Sequence, residues 1–295
     1  MNGMNNDAIA QGEHAPGRSL GLLYQEGSHK GLTHPFFVLV IDAFKNEAEA
    51  RGYEIMFVNA PAGEGDGDIA AHCRRRGVDG VCMICGEFSD PRIKALAASG
   101  LPFVSVDHIY KRLPAVLSDN ETGVRKLVEY ALSLGHKRIA FVHGHNNSVV
   151  TRARIQQYLN TMEYYKLPVL AGYLREGRYD NVPLTRQLVS ELLRLEERPT
   201  CILLPDDIAY LGAMEAARDL GLDIPRDISF AGYDGIALIQ KLAPPLTTIR
   251  QDAERMGHTA ARLLIDQIES PQTAKRKPFI FPVEFMEGGT MAPPQ

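Results

Sequence analysis

From residue 20 onward, short apolar runs alternate with amphipathic stretches, and that alternation predicts the elements of the chain. Residues 20–24 (LGLLY) read as a strand. Phe37, Val40, Ile41, Phe44 and Ala48 then fall at helical spacing behind Pro35, a residue suited to the first turn of a helix. Gly52 closes that helix, and 53–58 is a β-rich run. The same reading predicts helices over 69–76, 92–99, 121–134, 149–165, 184–195 and 208–220. Strands are expected over 78–85, 103–107, 138–142, 169–175, 200–204 and 227–231, with a last helix over 253–269 and a last strand over 279–285.

Strands that alternate with helices mean βαβ units and parallel sheets. Roughly ten such units overfill one sheet and suit two of about five or six strands each. A length of 295 residues is likewise about two domains of chain. A short strand near 116–120 stands between the two series and marks the break. The expected fold class is therefore α/β, two doubly wound parallel-sheet lobes with a hinge between them. Residues 20–118 plus 251–277 are expected in the first lobe and 119–250 plus 278–286 in the second, behind a disordered tail over 1–19.

Composition narrows the function. With 45% hydrophobic and 23% charged residues this is an ordinary globular chain. Thirty-two basic residues against 36 acidic ones leave a net charge of −4, which argues against nucleic-acid binding by overall charge. No apolar run approaches the ~18 residues of a membrane helix. The first 19 residues hold no apolar segment of a secretory signal. Four cysteines in this length make no disulfide scaffold. A reduced, cytoplasmic protein with no membrane association is expected.

Open α/β sheets bind ligands beyond the carboxyl ends of their strands. Those ends carry 25–35, Asp107-His108, 143–147, Pro205-Asp206-Asp207 and Tyr233-Asp234, with Arg152 and Arg154 in the first turns of the following helix. Carboxylates accept from hydroxyls, Arg donates in a fixed fork, and rings cover apolar sugar faces. A polyhydroxylated ligand suits such a cleft better than a phosphate or a lipid. Any single carboxylate here is equally well read as a helix cap or turn residue, so the reading rests on several strand ends agreeing.

Other motifs fail on inspection. Cys82 and Cys85 have redox spacing but lie inside an apolar strand run, where they read as buried small residues. GEGDGD at 63–68 lacks the Lys and Ser/Thr of a phosphate loop, and its acids would repel phosphate. His143 and His145 have no third ligand at metal-site spacing. Asp206-Asp207 are adjacent and do not flank a bond as glycosidase acids do. No nucleophile elbow or zinc-protease motif is present. No cofactor, metal or catalytic residue is expected.

Seven segments, in order, resemble the lactose-repressor/galactose-repressor family: HPFF at 34–37, VDG at 78–80, SDN at 118–120, LGHKRIAF at 134–141, Pro199-Thr200, PRDISFAGYD at 225–234 and PPLTTIRQ at 244–251. The resemblance spans about 20–285. It implies a periplasmic-binding-protein-like core whose two lobes hinge around a small effector, commonly a sugar or nucleobase. By position it implies effector contacts at Asp107, Arg154, Asp234 and Gln251, with an apolar wall from Phe36. Asp206 stands where the family commonly has Asn, and Gln157 where members often have Gly. Members usually begin with a helix-turn-helix. Here about 19 residues precede the first strand, so operator DNA is expected to be reached only through a head missing from this chain. A homodimer is expected, with 36–51 and 69–76 as candidate contacts. The alternative is a free-standing sugar- or solute-binding protein; an enzyme on the same fold is less favoured, for want of an acid–base pair.

Overall fold

The computed structural model describes residues 18–24, 32–58 and 68–295. The first series runs β1 (Ser19–Tyr24), α1 (Pro35–Ala50), β2 (Glu54–Phe57), α2 (Ile69–Arg75), β3 (Gly80–Cys85), α3 (Pro91–Ala98), β4 (Phe103–Val106) and β5 (Ala115–Ser118). The second runs α4 (Asn120–Ser133), β6 (Ile139–His143), α5 (Val149–Tyr164), β7 (Leu174–Glu176), α6 (Val182–Leu193), β8 (Cys201–Leu203), α7 (Ala209–Asp219) and β9 (Ser229–Ala231). β10 (Thr248–Arg250), α8 (Ala253–Glu269), β11 (Pro278–Phe281) and β12 (Glu284–Met286) complete the chain. Residues 1–17 of the expected tail lie outside the described residues, whereas Arg18 donates to the Arg51 carbonyl at 3.1 Å and Ser19 pairs with Glu54 as the first residue of β1.

All pairings in the two main sheets are parallel. The first sheet has six strands in the order β11-β5-β4-β3-β1-β2, and the second has four in the order β7-β6-β8-β9. Each is covered on both faces, as parallel sheets require. In the first lobe α1 and α8 cover one face, burying Phe36, Val40, Phe44 and Leu264, while α2 and α3 cover the other around Ile69, Met83 and Ile93. The second lobe repeats the plan with α6 and α7 on one face and α4 and α5 on the other. Caps follow sequence: Asp68, Asp90, Asp119, Ser148 and Asn181 each accept a backbone N–H at a helix start. Gly257 lets α8 lie directly on α1, because a Cβ there would collide with the Val40 carbonyl.

Two expectations need correction. The last strand is not one strand, and residues 278–281 do not join the second lobe. β11 is the edge strand of the first sheet, with Phe279 beside Val116, whereas β12 pairs antiparallel with β10. Pro282 stands between them; it has no N–H to donate and ends the ladder. The strand expected over 169–175 shrinks to β7, since Gly172, at φ 84°, turns the chain just before it. Val169 and Leu170 pack against the core without joining a ladder.

Candidate functional site

β4 delivers Asp107 in a left-handed bend, φ 58°, a conformation that Asp and Asn tolerate better than other side chains. Its N–H donates to the Val116 carbonyl at 2.9 Å. Its Oδ1 is buried without a hydrogen-bond partner. Burial pushes this carboxyl up to about 6, against the pull of Arg154 and His34.

β9 delivers Asp234, also left-handed at φ 114°. Its N–H donates to Ile249 at 2.7 Å and its carbonyl accepts from the Gln251 N–H at 3.2 Å, so the bend is clamped by the crossing segment. Gln251 Nε2 donates to Asp234 Oδ1 at 2.6 Å, and His34 Nε2 lies 3.7 Å from Oδ2. Burial pushes the carboxyl up to about 7, while His34 and Arg154 oppose the shift.

Arg154, on α5, is 4% exposed. Its Nε donates to Asn120 Oδ1 at 2.7 Å and its Nη1 to the Pro205 carbonyl at 3.0 Å. The guanidinium lies 3.5 Å above the centre of the Tyr233 ring and 5.9 Å from that of Tyr179. Such a stacked, buried cation is worth more than one in water. His34, at the start of α1, feels Asp107, Asp206 and Asp234 together, so both lobes face one another across this cluster.

The predicted residues therefore converge, with two qualifications. Asp206 is fully buried, and its two oxygens already accept the N–H groups of Asp180 and Ala209, both at 2.7 Å. It holds a loop and the start of α7. Phe36 does not wall the cleft: helical phase turns it into the α1/α8 core at 4% exposure. Its neighbour Phe37 faces His34, with ring centres 5.2 Å apart, and Tyr24. Arg152 is spent on the carbonyls of Asn146 and Asn147.

Tyr233, already among the strand-end residues, joins the site, and so do His34, Phe37, Asn120 and Tyr179, to which the sequence assigned no individual role. His34 precedes Pro35 at a strand-end loop, and Asn120 follows the break between lobes, so both lay within motifs already singled out. Tyr179 has no such signal. Residues 25–31 of the first strand-end loop, and 63–67 of the glycine-rich turn, lie outside the described residues.

Among the described residues no group of three or more His, Cys, Asp or Glu could hold a metal ion. His143 Nδ1 meets the Gly144 carbonyl at 2.7 Å, and His145 lies 3.4 Å from Glu176. Cys82 is sealed in the first core, where burial pushes its thiol far up. At the rim, Asn147 Nδ2 of the second lobe donates to Glu87 Oε2 of the first at 2.7 Å, and Phe88 stacks on His108 at 4.4 Å.

Residues 128–291, more than half of the chain, match the family model of the periplasmic binding protein-like domain. An uncharacterized HTH-type transcriptional regulator in the aml 5′ region of Streptomyces limosus is 30% identical over 274 residues, 88% of this chain and 76% of the relative. The chain belongs to the LacI/GalR type of this family. The HTH-type transcriptional repressor PurR of Vibrio parahaemolyticus is 28% identical over 264 residues, covering 88% of this chain and 77% of the repressor. A putative LacI transcriptional regulator from Bacillus cereus subsp. cytotoxis superposes with a TM-score of 0.84 at 28% identity, over 94% of this chain and 99% of that one. A LacI family regulator from Enterococcus faecium with bound ribose gives 0.80 at 27% identity, over 93% and 99%. The LacI/GalR-type core is thus an effector-binding unit with two parallel-sheet lobes, the α/β class expected from the alternation of strands and helices.

Proposed function

We propose that this effector-binding core of a transcription regulator takes a small polyhydroxylated molecule, a sugar, between its lobes. Asp107, Arg154, Asp234 and Gln251 hold it, and Asp206 positions the loop behind them. One observation carries the reading: the acceptors Asp107 Oδ1 and Gln251 Oε1 are buried without partners, beside a guanidinium and two tyrosine rings. Buried acceptors left unpaired are costly, and a ligand bringing hydroxyl donors removes that cost. The ribose held by the Enterococcus faecium relative supports the same class.

The effector stabilises one arrangement of the lobes and so shifts a population; it performs no chemistry. A homodimer, formed through the outer face of α1 where Val38 and Leu39 are 42% and 58% exposed, carries that change to operator DNA. The protein works in the cytoplasm. No helix among the described residues is long and apolar enough to cross a membrane.

The test is the melting temperature against monosaccharides, disaccharides, polyols and purines. An effector at ~100 times its Kd adds about 2.7 kcal/mol. For a chain this long that is a rise of roughly 5–10 °C. The rise is expected from one sugar class and is expected to vanish in Asp234→Asn. A rise that survives the substitution would place the effector elsewhere.

A further inference from the structure

The hydrogen-bond balance of the cleft narrows the effector. Three carboxyls face His34, and their partners differ. Asp206 holds two backbone amides, and Asp234 holds the Gln251 amide and the imidazole at 3.7 Å. Asp107 holds none through Oδ1. The neighbouring cation cannot easily turn to it. Arg154 is committed through Nε and Nη1 to Asn120 and Pro205, and its face to Tyr233. Gln251 gives Nε2 to Asp234, which leaves Oε1 as an acceptor without a donor.

Among the buried atoms of this cluster without a partner, Asp107 Oδ1 and Gln251 Oε1 accept, the Tyr233 hydroxyl can donate or accept, and His34 Nδ1 does one or the other according to its tautomer; Asp107 alone among them offers a carboxyl. A neutral hydroxyl brings one donor together with two lone pairs of its own to satisfy. An ammonium brings three donors, no lone pair and a compensating charge. Hydrogen bonds with an ionised partner are about twice as strong as neutral ones. A buried carboxylate left unpaired is among the most unfavourable arrangements in a protein interior.

Resting on the cleft as the effector's site, we propose that the effector is a polyhydroxylated amine, an amino sugar or amino polyol, whose ammonium sits on Asp107 while its hydroxyls reach Gln251. The Asp107 carboxyl is buried within reach of the charges of Arg154 and His34, and the face of Arg154 is taken by the ring of Tyr233.

Calorimetric titration of the whole chain tests this with glucosamine, galactosamine, mannosamine and glucamine, each beside its neutral parent and, for the three sugars, its N-acetyl form. One amine is expected to bind on the order of tenfold tighter than its parent, with the N-acetyl form no better than the parent. Asp107→Asn keeps a residue suited to the left-handed bend and is expected to fold, as its circular dichroism and melting would show. It is expected to erase the difference between amine and parent. A neutral parent that binds as tightly as its amine overturns the ammonium on Asp107 and leaves the cleft as a sugar site. An amine preference that persists in Asp107→Asn overturns the role of Asp107. No binding by either set, while a sugar of the wider panel raises the melting temperature, overturns this proposal alone; no response to any sugar, polyol or amine overturns the sugar reading with it.

Discussion

At the end of β8, Asp206 and Asp207 each hold two donors. Asp206 takes the N–H groups of Asp180 and Ala209, and Asp207 takes the Ile236 N–H at 2.7 Å and the Thr248 hydroxyl at 2.5 Å. At the end of β4, the other lobe presents Asp107, whose Oδ1 is equally hidden and holds nothing. The same residue type at the same topological place does opposite work. In the second lobe the carboxyls fasten loops to the sheet and to the crossing strand β10. In the first lobe the carboxyl oxygen fastens no loop and no strand. Burial alone does not separate the two cases, since it pushes all of these carboxyls up.

The largest effect expected is of pH. Asp107 and Asp234 are held at about 6 and about 7, so the native chain keeps protons that the unfolded chain has already lost. Stability is full below the ordinary carboxylate range near 4 and falls as pH climbs through those two values. The loss is on the order of 4 kcal/mol from Asp234. Melting of the unliganded protein between pH 4.5 and 8 is expected to show that fall, and Asp234→Asn to flatten part of it. A midpoint that rises across this range would contradict the upward push of burial on these two acids.

Next comes the contrast between the fastened and the open carboxyl. Asp207→Ala strands two buried donors and is expected to cost about 3 kcal/mol, lowering the melting midpoint by roughly 6–12 °C. Asp107→Asn is expected to leave the unliganded midpoint unchanged or raise it. Equal losses from the two would erase the distinction between the lobes. The smallest effect belongs to the rim. Asn147→Ala removes the contact to Glu87 in an exposed loop and is expected to change stability by about 0.5 kcal/mol or less. It is expected to quicken effector release about twofold in stopped-flow measurements. An unchanged release rate would mean that this contact plays no part in lobe closure.

Much of this was legible in the sequence, for physical reasons. Long helices with strong apolar stripes and strands behind capped turns announce themselves, so the two series and their parallel sheets could be written down. The strand-end rule reached Asp107 and Asp234 without any geometry. Phe36 could not be told from Phe37, because helical spacing fixes which residues share a face but not which neighbour faces a cleft. Asp206 was ambiguous for a chemical reason: a cap and a ligand contact use the same oxygens. β10 has three residues, too few for a period to be seen, and the break at Pro282 changes sheets without changing apolar character.

The placement of β11 and α8 bears on how the protein comes off the ribosome. The second sheet is contiguous in the chain from β6 to β9, so it can close while synthesis continues. The first sheet lacks its edge strand, and its core lacks Met256, Ala260 and Leu264, until residue 281 has been made. Most of the nascent first lobe therefore waits through the translation of the second, with the side of α1 that receives α8 uncovered. That interval leaves apolar surface open that the finished fold buries, the kind of surface through which incomplete domains aggregate.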